Sequence, residues 1–291
     1  MTYRELYLTA RRLLDNAGID SPGSDAAVLL EHFFGLSRPG LAIHGEESPI
    51  PADEEKYLAA VQQRADHRPL QYIVGSWAFM GLQLQVGEGV LVPREDTGVL
   101  VEAAAERIKA LEEPVGLDLC AGTGAVALGI CKLAPRTKII CLEISPLAFR
   151  YLEQNLAAYP DFETEALQAD ILSPETATRC SAPLDFIVSN PPYIARDTLQ
   201  NLQPEVQREP ALALDGGEDG LLFYRAIARL WVPLVKPGGM VAVEIGEEQG
   251  AAVCELFSAA GVGQLEVLKD WAGLDRCVIG RRLMQDATRI E

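Results

Sequence analysis

Leu184-Asp185-Phe186-Ile187-Val188-Ser189-Asn190-Pro191-Pro192-Tyr193 reads as a short, mostly apolar strand that leaves its sheet through a stiff turn. Pro183 bounds the strand at its start. Two consecutive prolines cannot continue a central strand, because neither has an N–H to give to the ladder. Asn190 is therefore expected at the carboxyl edge of a strand, which is where open α/β sheets bind ligands. Pro191 precedes another proline and is biased to an extended backbone. The turn then offers one carboxamide, backbone carbonyls and one aromatic ring. The Asn190 side-chain oxygen and a proline carbonyl are both acceptors. Together they suit the two N–H groups of a planar primary amide or an exocyclic amine, with Tyr193 stacked on the flat face. Holding both N–H bonds in plane steers the nitrogen lone pair out of plane, toward an electrophile. Taken alone, the same four residues also read as an ordinary turn.

Outward from this stretch, strand and helix alternate. Strands are expected over 115–119, 138–142, 166–169, 184–189, 240–245, 265–269 and 276–281, and helices over 124–133, 146–158, 221–235 and 250–260. Such alternation predicts an α/β fold, a mostly parallel sheet with helices on both faces. The last two strands lack an intervening helix and are expected to form an antiparallel hairpin at the edge. Upstream, residues 1–75 carry apolar residues at helical spacing, as in Leu6, Leu13, Leu14 and Ala17, and then Ala26, Leu29, Leu30 and Phe33. They are read as a small helical domain without an acid, base or nucleophile cluster. Residues 76–92 switch to period 2 around Gly81, a β-hairpin linking that domain to the one over 93–291. A helix following Thr97 is expected to run to about residue 110.

Composition narrows the classes. The 291 residues are 48% hydrophobic and 23% charged, ordinary for a globular protein. A net charge of −17 disfavours nonspecific DNA binding, which needs cations against phosphate. The six cysteines form no C-x-x-C pair and read as free thiols in a reducing cytoplasm. The three histidines, His32, His44 and His67, lack metal-ligand spacing, so no metal is expected. No signal peptide and no membrane span are read in the chain.

Asp118-Leu119-Cys120-Ala121-Gly122-Thr123-Gly124-Ala125 falls at the first strand-to-helix turn of the α/β region. Glycines there allow close approach of backbone to a ligand. Glu143 ends the next strand, where a carboxylate can accept both hydroxyls of a ribose. Asp170 and Ile171 follow the third strand, an acceptor and an apolar wall for an adenine ring. Asp118 would repel a pyrophosphate but suits a sulfonium or an amino group, so S-adenosylmethionine fits better than NAD. A nucleoside site on three strands, joined to an amide-orienting turn on the fourth, describes a methyltransferase acting on nitrogen.

The chain resembles the HemK/PrmC-type release-factor glutamine methyltransferases over most of its length. The matching stretches are His67 to Gly75, Val92 to Thr97, Asp118 to Gly124, Asn190 to Ile194, Glu209-Pro210, Ala213 to Gly220, and Glu244-Ile245-Gly246. The Asn-Pro-Pro-Tyr motif alone also resembles amino-adenine DNA methyltransferases. The resemblance implies a class I methyltransferase domain of seven strands, Rossmann-like, with a helical N-terminal domain that docks the substrate. It implies methylation of the glutamine side-chain amide nitrogen in the Gly-Gly-Gln motif of bacterial class I peptide chain release factors one and two. The donor would be S-adenosyl-L-methionine and the product S-adenosyl-L-homocysteine. Carried over by position, the cofactor residues are Cys120, Ala121, Gly122, Thr123, Gly124, Glu143 and Ile171; Asp118 and Asp170, read from the residues themselves, and Asn190 complete the expected cofactor set. Asn190, Pro191, Pro192 and Tyr193 hold the substrate and align it. Cys120 stands where the family usually has glycine, Glu143 for aspartate, Gly98 for glutamate and Ile171 for an aromatic residue.

A cytoplasmic monomer with no DNA partner is the expectation. Two other readings stay open at this stage. A DNA or RNA adenine methyltransferase would want a basic face and a target-recognition domain, and a nucleoside-binding scaffold would have no use for the amide clamp. Glu244, at the end of a different strand, is expected to matter less for transfer than Asn190.

Overall fold

The computed structural model describes residues 1–180 and 183–284; the stretches 181–182 and 285–291 of the expected catalytic domain lie outside them. The chain divides into two compact units. One is Met1–Ser76 with Gln203–Arg208; the other is Trp77–Leu202 with the chain from Glu209 onward.

The first unit is built from α1 (Tyr3–Asn16), α2 (Pro22–Phe34), α3 (Arg38–His44), α4 (Pro51–Ala65) and α5 (Leu70–Val74). A capping box starts α1: Thr2 accepts from the Glu5 N–H while Glu5 reaches back to the Thr2 N–H. Leu6, Ala10 and Leu14 fall on one face and are buried. Prolines at the first turns of α2 and α4 cost no hydrogen bond there, and Gly35 at φ +65° ends α2. Tyr57 of α4 is fully buried against the rings of Phe33 and Phe34. The helices α3, α4 and α5 add to the two runs whose spacing is described above. A charged cluster also forms here, contrary to expectation. Arg64 donates to Asp25 at 2.7 Å and to Glu205 at 2.9 Å, and His67 pairs with Glu205 at 3.0 Å. Glu205 is far away in sequence, which is why no local pattern exposes the cluster.

The second unit begins with the hairpin β1 (Ser76–Phe79) and β2 (Leu82–Gln85), followed by α6 (Gly98–Ile108), β3 (Val115–Leu119), α7 (Ala125–Leu133), β4 (Lys138–Glu143), α8 (Pro146–Ala158), β5 (Glu163–Gln168), α9 (Pro174–Arg179), β6 (Leu184–Ser189), α10 (Leu222–Ala226), β7 (Val235–Glu244), α11 (Gly250–Ala259), β8 (Val262–Lys269) and β9 (Asp275–Arg282). The hairpin is tied to α8 by Asn155, whose side chain pairs with the Gln85 backbone, and Tyr159 bonds the Gln83 backbone close by. The sheet order is β5-β4-β3-β6-β7-β9-β8, with β9 antiparallel to both neighbours and the other pairings parallel. One apolar layer packs α6, α7 and α8 on one face; a second, including Tyr224, Trp231, Val253 and Phe257, packs α9, α10 and α11 on the other.

Several expected elements differ: β7 begins at Val235 and β8 at Val262, ahead of the expected 240 and 265, and α9 is an additional helix. The segment 221–235 is not one α-helix: α10 gives way to a π-helical stretch, Ile227–Trp231, and a 3-10 turn, Val232–Leu234. Pro233 has no N–H to continue the ladder, and the Trp231 indole is anchored on the Ile171 carbonyl at 2.8 Å. β5 starts at Glu163, because pairing with β4 rather than apolar content makes Glu163 to Glu165 a strand.

After β3 the chain builds outward to β4 and β5, then returns to lay β6 on the other side of β3. Strand order reverses there, and open α/β sheets bind ligands in the crevice outside such a point. In register, Leu119 lies opposite Ser189, so Cys120 and Asn190 leave the sheet side by side.

Candidate active site

The turn after β3 bends through positive φ at Cys120 (+64°), Gly122 (+56°) and Gly124 (+80°). Left-handed backbone suits glycine and strains a residue with a Cβ; Cys120 holds the bend without being glycine. Gly124 starts α7, where a Cβ would come within 2.9 Å of the Leu152 side chain.

Glu143 organises the next layer. One carboxylate oxygen accepts the Gly122 N–H at 2.9 Å and the other accepts the Ser145 N–H at 2.8 Å. It thereby joins the glycine turn to the start of α8. Burial raises its pKa, and the backbone N–H bonds offset part of that. Asp170 caps its own loop by accepting the Leu172 N–H at 2.8 Å, and Ile171 beside it is buried.

A cavity over the carboxyl ends of these strands is lined by Cys120, Ala121, Gly122, Thr123, Glu143, Asp170, Ile171, Asn190 and Pro192 from among the expected residues. Asp118, Gly124, Pro191 and Tyr193 are not part of its lining. Asp118 is fully buried, accepts the Ala127 N–H of α7 at 3.1 Å, and has a second oxygen without a hydrogen-bond partner among the described residues. Burial pushes its carboxyl up to about 8, with a smaller upward push from Glu143. Strand alternation turns this side chain toward α7 rather than the cavity, so it does not face a sulfonium there.

The turn after β6 is held from behind. Asn190 donates its Nδ2 to Thr97 Oγ1 at 3.3 Å, which leaves Oδ1 as the acceptor. The Tyr193 carbonyl accepts from Gln249 at 2.9 Å. Ile194 exchanges backbone bonds with Leu214 and Gly216 at 3.0 and 2.8 Å. A Cβ on Gly220 would meet the Tyr193 carbonyl oxygen at 2.4 Å, so the glycines of Gly216 to Gly220 allow that stretch to back the turn.

Tyr193 does not present its hydroxyl to the cavity; it donates to Glu244 Oε1 at 3.4 Å. Burial, then the Glu244 charge, push the Tyr193 hydroxyl up to about 12. Glu244, expected to matter less for transfer than Asn190, thus touches the Asn190 turn, because β7 runs directly beside β6. Burial pushes its carboxyl up to about 7, against the lowering effects of the Thr97 hydroxyl, Arg276 and Tyr193. Glu209 was also missed as a structural anchor. It is 5% exposed, accepts the Val92 N–H at 2.9 Å and pairs with Arg94, which lines the cavity. Thr97, Arg94, Glu209 and Glu244 all stand in the matched stretches, but only contacts far apart in sequence reveal what they do.

The model of the PrmC N-terminal domain matches residues 5–75, and that of the methyltransferase small domain matches residues 96–216. The release factor glutamine methyltransferase of Moorella thermoacetica is 40% identical over 288 residues, 97% of this chain and 99% of that protein. The chain belongs to the release factor glutamine methyltransferase family. The protein of the same name from Clostridium botulinum is 33% identical over 290 residues, 97% of this chain and 100% of its own. A solved 16S rRNA methyltransferase from T. thermophilus, in complex with AdoMet and guanosine, shares the fold with a TM-score of 0.52 at 20% identity, covering 71% of this chain and 49% of that one. The second unit is thus a class I methyltransferase domain with a mostly parallel seven-stranded sheet. Among the described residues no His, Cys, Asp and Glu group is placed to hold a metal ion, and no helix is long and apolar enough to cross a membrane.

Proposed function

We propose that this chain methylates the N5 amide nitrogen of the glutamine in the Gly-Gly-Gln motif of bacterial class I release factors one and two, and so modulates translation termination. The donor is S-adenosyl-L-methionine, and the enzyme acts as a cytoplasmic monomer. The observation that carries the reading is the Asn190 carboxamide, whose nitrogen is engaged by Thr97 while its oxygen remains to accept a substrate N–H at the cavity wall. The residues fit the cofactor. The Glu143 oxygens accept the Gly122 and Ser145 N–H groups and, as a carboxylate, keep acceptor capacity for ribose hydroxyls. The Gly122 N–H, which a dinucleotide turn would aim at a pyrophosphate, is already given to Glu143. Asp170 and Ile171 supply an acceptor and an apolar wall for adenine.

When bound, S-adenosylmethionine supplies an electrophilic methyl group. The chain's part is orientation. Asn190 Oδ1 and a proline carbonyl hold the two N–H bonds of the glutamine amide in plane, which exposes its nitrogen lone pair out of plane. Alignment of this kind contributes roughly 7–11 kcal/mol to a rate. The proton leaves the nitrogen after transfer, so no strong base is required beforehand. The helical unit docks the release factor.

The test is transfer of labelled methyl from S-adenosylmethionine to purified release factor, to DNA and to buffer alone. Label is expected only in the Gly-Gly-Gln peptide of the release factor. Label in DNA, or none in any sample, overturns the reading.

A further inference from the structure

Both polar side chains of the Asn190 to Tyr193 turn end on one buried pair of residues. Asn190 Nδ2 donates to Thr97 Oγ1 at 3.3 Å, and the Tyr193 hydroxyl donates to Glu244 Oε1 at 3.4 Å. Thr97 is 3% exposed and Glu244 2%. Thr97 lies in the turn ahead of α6 and Glu244 at the end of β7, and the Thr97 hydroxyl interacts with the Glu244 carboxylate. We infer that Thr97 and Glu244 form a buried relay that sets which way the Asn190 carboxamide faces, making Glu244 a positioning residue for the methyl acceptor. The inference rests on the proposed role of Asn190.

A carboxamide is nearly symmetric in shape but not in chemistry: its oxygen accepts and its nitrogen donates. Only the orientation with Oδ1 toward the acceptor amide is productive. Thr97 has a single hydroxyl proton. An ionised Glu244 can only accept, so Thr97 directs that proton to the carboxylate and offers lone pairs to Asn190 Nδ2. A neutral Glu244 can donate instead. Thr97 is then free to donate to the Asn190 oxygen, and the carboxamide turns its NH2 toward the substrate N–H groups.

The surroundings of Glu244 leave the balance between these states close. Arg276 on β9 and the Thr97 and Tyr193 hydroxyls favour the charge, while burial and Asp96, next to Thr97, oppose it. Cys277 on β9 and Tyr224 on α10 are kept protonated by burial, and Tyr224 donates to the Glu244 backbone carbonyl at 2.9 Å. The second carboxylate oxygen has no hydrogen-bond partner among the described residues, which leaves it open to a proton. Burial pushes the carboxyl up to about 7, so the relay predicts the productive orientation above that pH and its loss as pH falls through it.

The experiment compares the full chain with Glu244→Gln, Thr97→Val and Thr97→Ser for methyl transfer to release factor from about pH 6 to pH 9. Glu244→Gln keeps the size and introduces a donor. It is expected to lower kcat about ten- to a hundredfold, to leave KM and cofactor affinity within about twofold, and to abolish the acid limb of the profile. Thr97→Val should behave alike, and Thr97→Ser should restore wild-type kcat. Should Glu244→Gln fail to fold, the threonine pair makes the same comparison. A Glu244→Gln kcat within about twofold of wild type, with the acid limb retained, overturns the relay. If wild type transfers no methyl to release factor, the functional reading falls, and the side-chain 15N resonance of Asn190 judges the relay separately. It should shift as pH passes about 7 in wild type and not in Glu244→Gln; a wild-type resonance that does not shift overturns the inference.

Discussion

Asn190 contributes one acceptor to the proposed clamp, and its geometry depends on a neighbour rather than on itself. Asn190→Ala removes the acceptor and should reduce transfer at saturating release factor by about a hundredfold or more, with cofactor affinity little changed by calorimetry. Asn190→Asp keeps an acceptor of the same size but cannot donate to Thr97, so a smaller yet clear loss is expected. Near-normal turnover of Asn190→Ala would contradict the clamp. Glu143 carries two duties: besides the proposed ribose contact, it accepts the N–H groups of Gly122 and Ser145. Hydrogen bonds to a charged group contribute about 1.5–3 kcal/mol each. Glu143→Ala should therefore weaken S-adenosylmethionine binding by about ten- to a hundredfold and also lower Tm, because the glycine turn loses its anchor. Unchanged affinity by calorimetry would sink the ribose assignment. Cys120 makes a related point. A cysteine in place of glycine does not straighten the turn, since φ there is still +64°, and the surrounding structure sustains the strain.

At the scale of elements, the turn after β6 is braced by a segment that contributes no chemistry of its own. Gly220 has φ +73°, and a Cβ there would sit 2.4 Å from the Tyr193 carbonyl oxygen. Gly220→Ala is thus strained in its own backbone and also pushes on the turn that carries Asn190. It should lose more than about 1 kcal/mol of stability and cut kcat for methyl transfer, while cofactor affinity stays near wild type. Equal losses in cofactor affinity and kcat would mean that the Gly216 to Gly220 stretch supports the whole crevice rather than this turn. The irregular path after α10 has a similar logic. Regular helix is abandoned where Pro233 removes a donor and Trp231 fastens to Ile171, which fixes a wall of the proposed adenine site from within the same apolar layer.

Over the whole molecule, Gln203–Arg208 belongs to the helical unit although it follows the Asn190 turn in sequence. Its Glu205 pairs with Arg64 and His67. Deleting residues 1–75 removes those partners and the proposed docking module together. Cofactor binding should remain measurable, and most activity on intact release factor should be lost; full activity of the truncated chain would contradict a docking role. The pH dependence of stability follows chiefly from the two buried acids raised furthest, with buried Glu143 raised in the same sense. Asp118 is pushed up to about 8 and Glu244 to about 7. Between an ordinary carboxyl pKa and those values the folded chain binds more protons than the unfolded one, so these two groups make stability fall as pH rises. Their contribution flattens above about pH 8. Carboxylates with lowered values, such as Glu205 and Asp215, act in the opposite sense and only in acid. Urea unfolding should show a midpoint declining from about pH 5 to pH 8, and Asp118→Asn should remove much of that slope. An identical slope in the variant would exclude Asp118 as its source.

The strands β3 and β6 and the helix α8 are legible in the amino-acid sequence to the residue, because a buried strand bounded by proline or glycine, and a helix opened by Ser145 and Pro146, are local patterns. The turn proposed to orient the amide is legible for the same reason: two prolines after Asn190 constrain the backbone whatever surrounds them. What Asn190 does with its two ends is not local. That depends on Thr97, which lies 93 residues away along the chain, and on the 51-residue separation between Tyr193 and Glu244. The direction in which Asp118 faces, the mooring of Glu205 and the raised pKa of Glu244 were likewise decided by strand order and packing. Burial and hydrogen-bond partners are properties of neighbours in space, and the folded sheet alone brings those neighbours together.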